Sequence, residues 1–473
     1  MSAAQTLITK LTDSLLTTLN PDLTSMPLPS LQPTLTEVLQ KQAEDIIAQA
    51  PELPSVDLTT PISKLRSLNG QIVKLKGFVS DTLGLDIFPA LYHHQNKVCA
   101  HLFNDEPVPE DAILEPCVYG ERSLALLTLD KPAFTPSPPE LSYPQILSLP
   151  PKDLLELIKT HTPPVLLKVY SDTTELLMFQ SIEAIGILSF PEEYTPRDII
   201  SPQELESEGL TPQAHPYFLP TLHVLHTRTP TNNYDVSLET IRSSVQPLLA
   251  LLTTHCQGDA VAAHLLFYAL VSCSTTRVHS TPLDHIPFNL YGMKSSHPEL
   301  VNLIMQICPY PLPLTLSLQS LSEPAPLYPS KDYTLDCLLP GALLSKGMRP
   351  GSTIIVDETT LAPGVVKTQG INNLKCLNDI LAHQQLNIEI PYTEMSVPCS
   401  ISIISLSSSP SILPFDYRIP LIPGGKLPSP PPQPHSSQDG VPAPSTSSTT
   451  QPTLTTTTAQ PAASANVSAP ETI

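Results

Sequence analysis

Two adjacent carboxylates, Asp357 and Glu358, are the residues of this chain whose type and position best suit chemistry. They end the run STIIVDE, residues 352–358, in which apolar β-branched residues precede the two acids. A buried parallel strand reads as a continuous apolar run of this kind. Acidic residues at the end of such a strand hold magnesium and water in nucleotide-hydrolysing sites. The run therefore raises ATP hydrolysis as a first hypothesis.

The half of such a site that holds phosphate needs a glycine-rich turn, with Lys and then Ser or Thr opening the next helix. The corresponding stretch is GMKSSHPEL, which begins at Gly292 and lacks a second glycine. Pro298 and Glu299 stand where the Lys and the hydroxyl residue would be. We interpret these positions, with Asp357 and Glu358, as a degenerate nucleotide site. The prediction is no cofactor and no enzyme activity, and a weak ATPase is the alternative.

No other set of reactive side chains converges in the sequence. The eight cysteines form no C-x-x-C pair and have no histidine at ligand spacing, so no metal site is predicted. The pairs His93–His94 and His223 with His226 lack a nearby carboxylate or cysteine. We expect reduced, mostly buried thiols and structural or surface histidines.

The charge balance disfavours direct nucleic-acid binding. The 473 residues include 24 Lys and Arg against 44 Asp and Glu, a formal net charge of −20, which repels a phosphate backbone. The longest apolar run, VAAHLLFYALVSC at 261–273, is too short for a bilayer and is interrupted by His264. We therefore expect neither nucleic acid nor a membrane as a direct partner.

Hydrophobic patterning gives the first half of the chain two regions. Residues 1–52 have helical spacing broken by prolines, which predicts a helical N-terminal segment. Residues 53–230 contain short β-like runs between proline-rich insertions, which suggests a barrel of the oligonucleotide-binding (OB) type. Such a barrel can bind single-stranded DNA, another alternative. Lys168 and Tyr170 lie among acidic residues, which favours a structural or protein-contacting barrel instead.

The second half of the chain contains two regions with different residue patterns. Between 231 and 421 strands alternate with helices, which predicts a parallel, three-layered α/β domain. Within it, Gly258 should break two helices and Asp259 should cap the second. Residues 422–473 are rich in Pro, Ser and Thr, so a disordered tail is predicted there. The predicted fold class is a multidomain mixture of α+β and α/β structure.

Five blocks of sequence occur in one order between about residue 53 and about residue 421. They are LPSVDLTTPISKLRSLNGQIVKLKGFVSDTLGLDIFPALY, PPVLLKVYSDTTELLMFQSIEAIGILSF, GDAVAAHLLFYALVSCSTTR with FNLYG, YPSKDYTLDCLLPGALLSKGMRPGSTIIVDETTLAPGVVKTQGINNL, and MSVPCSISIISLSSSPSILPFDYRIPL. Together these blocks resemble the mini-chromosome maintenance (MCM) complex-binding protein family. The family would continue into a further helical region, where this chain has the Pro/Ser/Thr-rich segment instead.

The resemblance implies a non-enzymatic factor that associates with subunits of the MCM helicase and regulates DNA replication. It implies removal of the helicase from chromatin late in S phase, support of sister-chromatid cohesion, and contact with chromatin through the helicase. A nuclear location follows, with a shared cytoplasmic pool left open. The stretches FNLYGMKSSHPELVNLIMQICP and PGALLSKGMRPGSTIIVDE also resemble MCM subunits themselves. That likeness implies a degenerate MCM-like (AAA+-like) domain.

Overall fold

The computed structural model of the chain describes residues between 53 and 425, with gaps. The described residues are 53–94, 97–101, 103, 109, 112–131, 140–148, 161–170, 176–189, 219–230, 237–272, 277–278, 281–283, 285–294, 297–321, 325–333 and 337–425. They all fall in one compact unit, which ends at Leu427. The predicted helical segment 1–52 lies outside the described residues, as does the predicted tail after residue 425.

The first sheet is a closed barrel. Five strands follow one another in the order β2-β4-β5-β7-β6, and β6 pairs back with β2. Only the β5–β7 pair in this ring is parallel. Two short strands, β1 and β3, pair with β2 outside the ring. The strands are β1 (Ser55–Val56), β2 (Ile72–His94), β3 (Lys97–Ala100), β4 (Ile113–Leu129), β5 (Val165–Val169), β6 (Ser181–Ser189) and β7 (Thr221–Arg228), with helices α1 (Ile62–Ser67) and α2 (Tyr143–Ser148).

Alternating residues fill the barrel. Val73, Leu75 and Val79 of β2 are fully buried and belong to one cluster with the inward residues of the other strands. Gly77 permits close packing, since a Cβ there would lie 2.2 Å from the Thr128 carbonyl oxygen. The sequence suggests separate strands in the runs GQIVKLKGFVSDT and FPALYHH, but residues of both form the single long strand β2, whose pairing with β4 continues across several β-bulges. The sequence also suggests a short strand in the run LMF at 177–179, but this run is part of a turn.

The second large sheet is entirely parallel. Its strand order is β11-β14-β17-β10-β18. Ile354 and Val356 of β14 enter a cluster with one helix layer, whereas Ile355 enters a cluster with three other helices. The sheet is therefore covered on both faces, as predicted for three layers. Its strands are β10 (Phe288–Tyr291), β11 (Pro311–Thr315), β14 (Thr353–Asp357), β17 (Ser402–Ser407) and β18 (Tyr417–Pro420).

The remaining elements surround this sheet. A four-stranded sheet has the order β13-β12-β15-β16, and β8 pairs with β9 in a two-stranded one. These strands are β8 (Arg277–Val278), β9 (Thr281–Pro282), β12 (Ser330–Asp332), β13 (Cys337–Leu339), β15 (Gln385–Ile390) and β16 (Thr393–Pro398). The helices are α3 (Leu238–His255), α4 (Ala260–Val271), α5 (Pro298–Ile307), α6 (Leu318–Leu321), α7 (Gly341–Ser345) and α8 (Thr368–His383). Within the described ranges, no helix is long and apolar enough to cross a membrane.

The turn between α3 and α4 confirms the predicted break and cap. Gly258 has φ +81°, a left-handed conformation that glycine adopts without strain. The Asp259 Oδ1 accepts hydrogen bonds from the amides of Val261 at 3.0 Å and Ala262 at 3.1 Å. Its Oδ2 accepts from the Ile422 amide at 2.9 Å. One carboxylate therefore caps α4 and fastens the end of the described chain to it.

Candidate functional site

The carboxyl edge of the parallel sheet brings together the two stretches that the sequence analysis interpreted as a degenerate nucleotide site. β10 leads into Gly292 and then α5, and β14 ends at Asp357. β17 lies between β10 and β14 in the sheet. The carboxyl ends of parallel strands lie at the same edge of a sheet. Open α/β sheets bind their ligands at this edge. The two halves predicted from sequence are thus one strand apart.

Asp357 is engaged in a local turn. Its Oδ1 accepts hydrogen bonds from the Thr359 amide at 2.9 Å and the Thr359 hydroxyl at 2.6 Å. The side chain of a strand-end Asp commonly bonds the backbone two residues on in this way. Asp357 therefore stabilises the chain reversal that follows β14.

Glu358 is buried and hydrogen-bonded within the protein. It is 4% exposed, and its Oε1 accepts hydrogen bonds from the Ser405 hydroxyl at 2.8 Å and from the Ser411 hydroxyl. Its Oε2 accepts from the Ile412 amide at 3.2 Å. A buried carboxylate needs such partners, because an unpaired one is costly. Glu358 thus fastens the loop after β17 to the sheet edge instead of facing a ligand.

Asn289 of β10 extends this polar network. It is fully buried, and its Nδ2 donates to the hydroxyls of Ser405 at 3.2 Å and Ser407 at 2.9 Å. The Ser411 amide donates to its Oδ1 at 3.2 Å. The three central strands are therefore joined at their carboxyl ends by side-chain hydrogen bonds. Reading the sequence missed Asn289 and the serines, whose only signal is polar residues inside apolar strand runs.

The backbone of the turn at Gly292 also makes its contacts within the protein. Gly292 has φ +95°, and a Cβ there would lie 3.6 Å from the Leu421 backbone. The next residue, Met293, is 2% exposed, and its amide donates to the Ser407 carbonyl at 3.2 Å. Amides that cradle phosphate must point at it. The Met293 amide is instead used inside the protein, and Lys294 lies exposed beyond it.

The start of α5 has no features that attract phosphate. Pro298 is its first residue, and the preceding His297 makes no side-chain capping hydrogen bond. Glu299 puts a negative charge in the first turn, where the helix dipole would otherwise favour an anion. Its side chain is 85% exposed and has one oxygen 4.0 Å from His255 Nδ1. The contacts described at this sheet edge are hydrogen bonds within the protein.

The described histidines, cysteines and acidic residues were candidates for metal or thiol chemistry. No group of three or more His, Cys, Asp or Glu residues is placed there to hold a metal ion. The cysteines described are free and, apart from half-buried Cys99, buried. Burial raises the pKa of the Cys256 and Cys376 thiols to about 12. Such thiols stay protonated and unreactive, in agreement with the prediction of reduced, mostly buried cysteines.

A buried arginine at the junction of the barrel and the parallel sheet escaped the reading of the sequence. Arg349 is 2% exposed, and its guanidinium donates to Glu140 Oε1 at 2.9 Å and to the Leu129 carbonyl at 3.4 Å. It also lies 5.8 Å from the ring centre of Phe78 and 5.3 Å from that of Tyr310. Glu140 and Leu129 lie 209 and 220 residues from Arg349 in sequence, so no local pattern identifies these contacts.

The same junction carries a second polar contact and a cleft. The Asp81 Oδ2 of β2 accepts a hydrogen bond from the Leu338 amide of β13 at 2.9 Å. Beside it, residues of the barrel, α2 and the α/β region line a mainly apolar cleft of about 370 Å³. The junction is therefore specified by buried polar contacts as well as by apolar packing.

Lys168 and Tyr170, which raised single-stranded DNA binding as an alternative, are both buried on the barrel. Lys168 is 9% exposed and Tyr170 is 7% exposed. The Tyr170 hydroxyl lies 2.7 Å from His223 Nδ1 and accepts from Arg122 at 3.3 Å. A stacking platform needs exposed rings. This ring is held inside a side-chain cluster.

Comparison with known proteins shows which family this chain resembles. The profile of the family described as mini-chromosome maintenance replisome factor matches residues 132–437. The mini-chromosome maintenance complex-binding protein of Salmo salar is 29% identical over 55% of this chain and 46% of its own length. The protein of that name from Arabidopsis thaliana is 27% identical over 61% of this chain and 51% of its own.

The Homo sapiens protein of that name is 31% identical over a shorter stretch, 37% of this chain and 27% of its own length. The chain thus spans about half the length, or less, of these relatives. The profile match nevertheless covers more than half of this chain. The protein therefore belongs to the mini-chromosome maintenance replisome factor family.

Proposed function

We propose that this protein is a non-enzymatic factor that binds the MCM helicase and acts in DNA replication. The observation that carries the proposal is family membership, together with relatives named for binding the MCM complex in vertebrates and in a plant. The match reaches from residue 132 to residue 437, so it includes the whole parallel sheet. We therefore assign binding to the described region that contains this sheet.

The parallel sheet supports the idea of a degenerate MCM-like, AAA+-like domain. Its five strands are all parallel, and β17 alone separates the strand before the glycine turn from the strand with the acidic end. β10 occupies the first of these places and β14 the second. A domain of this shape can occupy the contacts of a helicase subunit without hydrolysing ATP.

The barrel supports an OB-type assignment in the same way. Three strands form an antiparallel meander, β2-β4-β5, and the last strand, β7, pairs parallel with β5 and antiparallel with β6. A five-stranded Greek-key barrel closed in this manner is the OB topology. We propose that its use here is protein contact, because Tyr170 is buried and the chain carries 20 excess negative charges.

The absence of hydrolysis is part of the proposal. Glu358 is engaged by three hydrogen bonds, and Pro298 with Glu299 leaves no lysine or hydroxyl at the start of α5. A fluorescent ATP analogue with magnesium should show no saturable binding. Micromolar affinity that disappears in Asp357→Ala would contradict the proposal and favour the weak ATPase.

The cellular role is proposed from the family resemblance alone. The protein would help to remove the helicase from chromatin late in S phase and would support sister-chromatid cohesion. It would reach chromatin through the helicase and reside in the nucleus, with a shared cytoplasmic pool as the alternative. Depletion should leave helicase subunits on chromatin after replication, measured by chromatin fractionation in synchronised cells.

The decisive test is binding to the purified MCM complex. The full chain should bind, and a chain that stops after Gly425 should bind equally well. Gly425 is chosen because its carbonyl accepts from the Ala260 amide at 2.9 Å, so the folded region keeps its last contacts. Deletion of residues 233–421 should remove most of the binding. Capture of the helicase by residues 426–473 alone would overturn the assignment.

A further inference from the structure

The long strands β2 and β4 continue as a two-stranded ribbon beyond the barrel. β2 leaves β6 after Phe78, and β4 meets β5 only from Ser123 onward. Beyond these points the two strands still pair with each other, from Leu85 with Ser123 to Pro89 with Tyr119. The side chains of a ribbon alternate between two faces. Each face therefore has its own environment.

One face of the ribbon is filled by the protein. The Arg122 Nε donates to Asp86 Oδ2 at 2.7 Å, and its guanidinium lies 4.8 Å from the ring centre of Phe88. Phe88 is 4% exposed, and its ring packs edge-on against Tyr170. The cation and the acid on this face therefore pair with each other, and its aromatic side chains are covered.

The other face, which we call the bare face, holds Leu85, Ile87 and Pro89 opposite Ser123, Glu121 and Tyr119. Leu85 is 69% exposed, Ile87 67% and Tyr119 51%. This face continues the side of the sheet on which Val79 and Leu127 pair inside the barrel. The apolar pattern of the barrel interior thus continues onto a solvent-exposed surface beyond the barrel. Exposed apolar patches of this kind mark interaction sites.

Glu121 gives the bare face its electrostatic character. It is exposed, and it is the only charged residue among the six that form the face. A second copy of this chain would bring one Glu121 toward another about a two-fold axis and would oppose two chains of charge −20. The charge therefore disfavours a homodimer and favours a cationic partner.

The length and orientation of the bare face fit a helix better than an added strand. Leu85 to Pro89 spans about 14 Å along the strand, close to the roughly 11 Å of two helical turns. Strand addition would use the edges of the ribbon, whereas the apolar side chains stand on its face. A helix is the element that packs on the face of a sheet. Two turns with apolar residues at helical spacing cover such a surface.

We propose that the bare face docks a basic amphipathic helix of a partner, with a Lys or Arg of that helix opposite Glu121. The inference rests on the proposed function, since the helix is taken to belong to an MCM subunit. It assigns part of the contact to the ribbon of β2 and β4, which lies before the start of the family match at residue 132.

The test measures the affinity of the full chain for the purified MCM complex. The double variant Leu85→Ser with Ile87→Ser should bind about 30-fold more weakly, because two apolar anchors are lost. Glu121→Lys should weaken binding about 10-fold and Glu121→Gln by less, and this loss should shrink at high salt. The matched control is Val365→Ser, an apolar residue 93% exposed elsewhere, which should bind like the wild type.

The outcomes separate the two proposals. No binding by the wild type overturns the proposed function and this inference with it. Wild-type binding that the ribbon variants share at full strength overturns the inference alone.

A photo-crosslinker placed at Tyr119 identifies the occupant. It should label an MCM peptide with apolar residues at helical spacing and a nearby Lys or Arg. Labelling of a second copy of this chain, or of a peptide without that pattern, overturns the inference.

Discussion

At the carboxyl edge of the parallel sheet, three hydrogen bonds to Glu358 come from the protein itself, whereas on the bare face three large apolar side chains end in solvent. The residue types alone would suggest the reverse, with acids as the functional group and apolar residues as the core. A buried group whose bonds are satisfied contributes to the fold. An apolar group left in water points to a partner.

Replacing Glu358 should have the largest effect on stability. Glu358→Ala removes the acceptor of two hydroxyls and an amide, and we expect a loss of about 3 kcal/mol in the free energy of unfolding. Glu358→Gln, which keeps one acceptor oxygen, should lose less. Urea denaturation followed by circular dichroism measures both. Unchanged stability in Glu358→Ala would break the comparison, because the carboxylate would then be free for chemistry.

The Asp259 cap should come next. Asp259→Ala removes three hydrogen bonds, two at the start of α4 and one to Ile422, and should cost about 2 kcal/mol. The matched control is Ser237→Ala, the exposed cap of α3 that accepts from the Thr240 amide at 3.2 Å, which should cost about 1 kcal/mol or less. Equal losses in the two variants would show that the tie to Ile422 contributes nothing.

At the junction between the barrel and the parallel sheet, Asp130 should have a smaller effect on stability. This effect should depend on pH. Burial raises the pKa of the Asp130 carboxyl, although Arg349, with Nη1 at 3.9 Å, acts in the opposite direction. The folded state then binds this proton more tightly than the unfolded state. Stability should fall as pH rises from the ordinary pKa of 3.8 through the raised value.

Asp130→Asn removes that proton equilibrium. Relative to the wild type, the variant should therefore gain stability between acidic and neutral pH, measured by denaturation at several pH values. A relative loss over the same range would show that attraction to Arg349 outweighs burial.

The ribbon should give the smallest change in stability. The double variant Leu85→Ser with Ile87→Ser should unfold within about 0.5 kcal/mol of the wild type, because both side chains are already in water. Thermal melting of the two proteins checks this. A loss of 2 kcal/mol or more would mean that the bare face is covered within the chain, and the contrast with Glu358 would disappear.

Local signals predicted part of this molecule well. The strand ending at Asp357, the break at Gly258 and the cap at Asp259 each depend on neighbours within a few residues, so the sequence is sufficient to find them. The parallel, layered sheet also followed from strands alternating with helices. Such features are set by periodicity and backbone geometry, which a single sequence displays.

Contacts between residues that are distant in the sequence could not be predicted from such local signals. Ser411 lies 53 residues from Glu358, and Glu140 lies 209 residues from Arg349. A carboxylate in a sequence looks the same whether its partner is magnesium, water or a serine hydroxyl. The continuation of β2 as one strand was missed as well, because bulges shift its register and obscure the alternation on which strand prediction depends.

The closed glycine turn has a consequence for protein engineering. Pro298→Lys with Glu299→Ser would restore the letters of a phosphate-binding helix start, yet the Met293 amide would still bond Ser407 and Glu358 would still hold the Ser411 loop. Each of these obstacles can be removed only at the expense of the fold. Under the proposed function, installing nucleotide binding requires several simultaneous changes, so stepwise selection for ATPase activity should fail from this starting point.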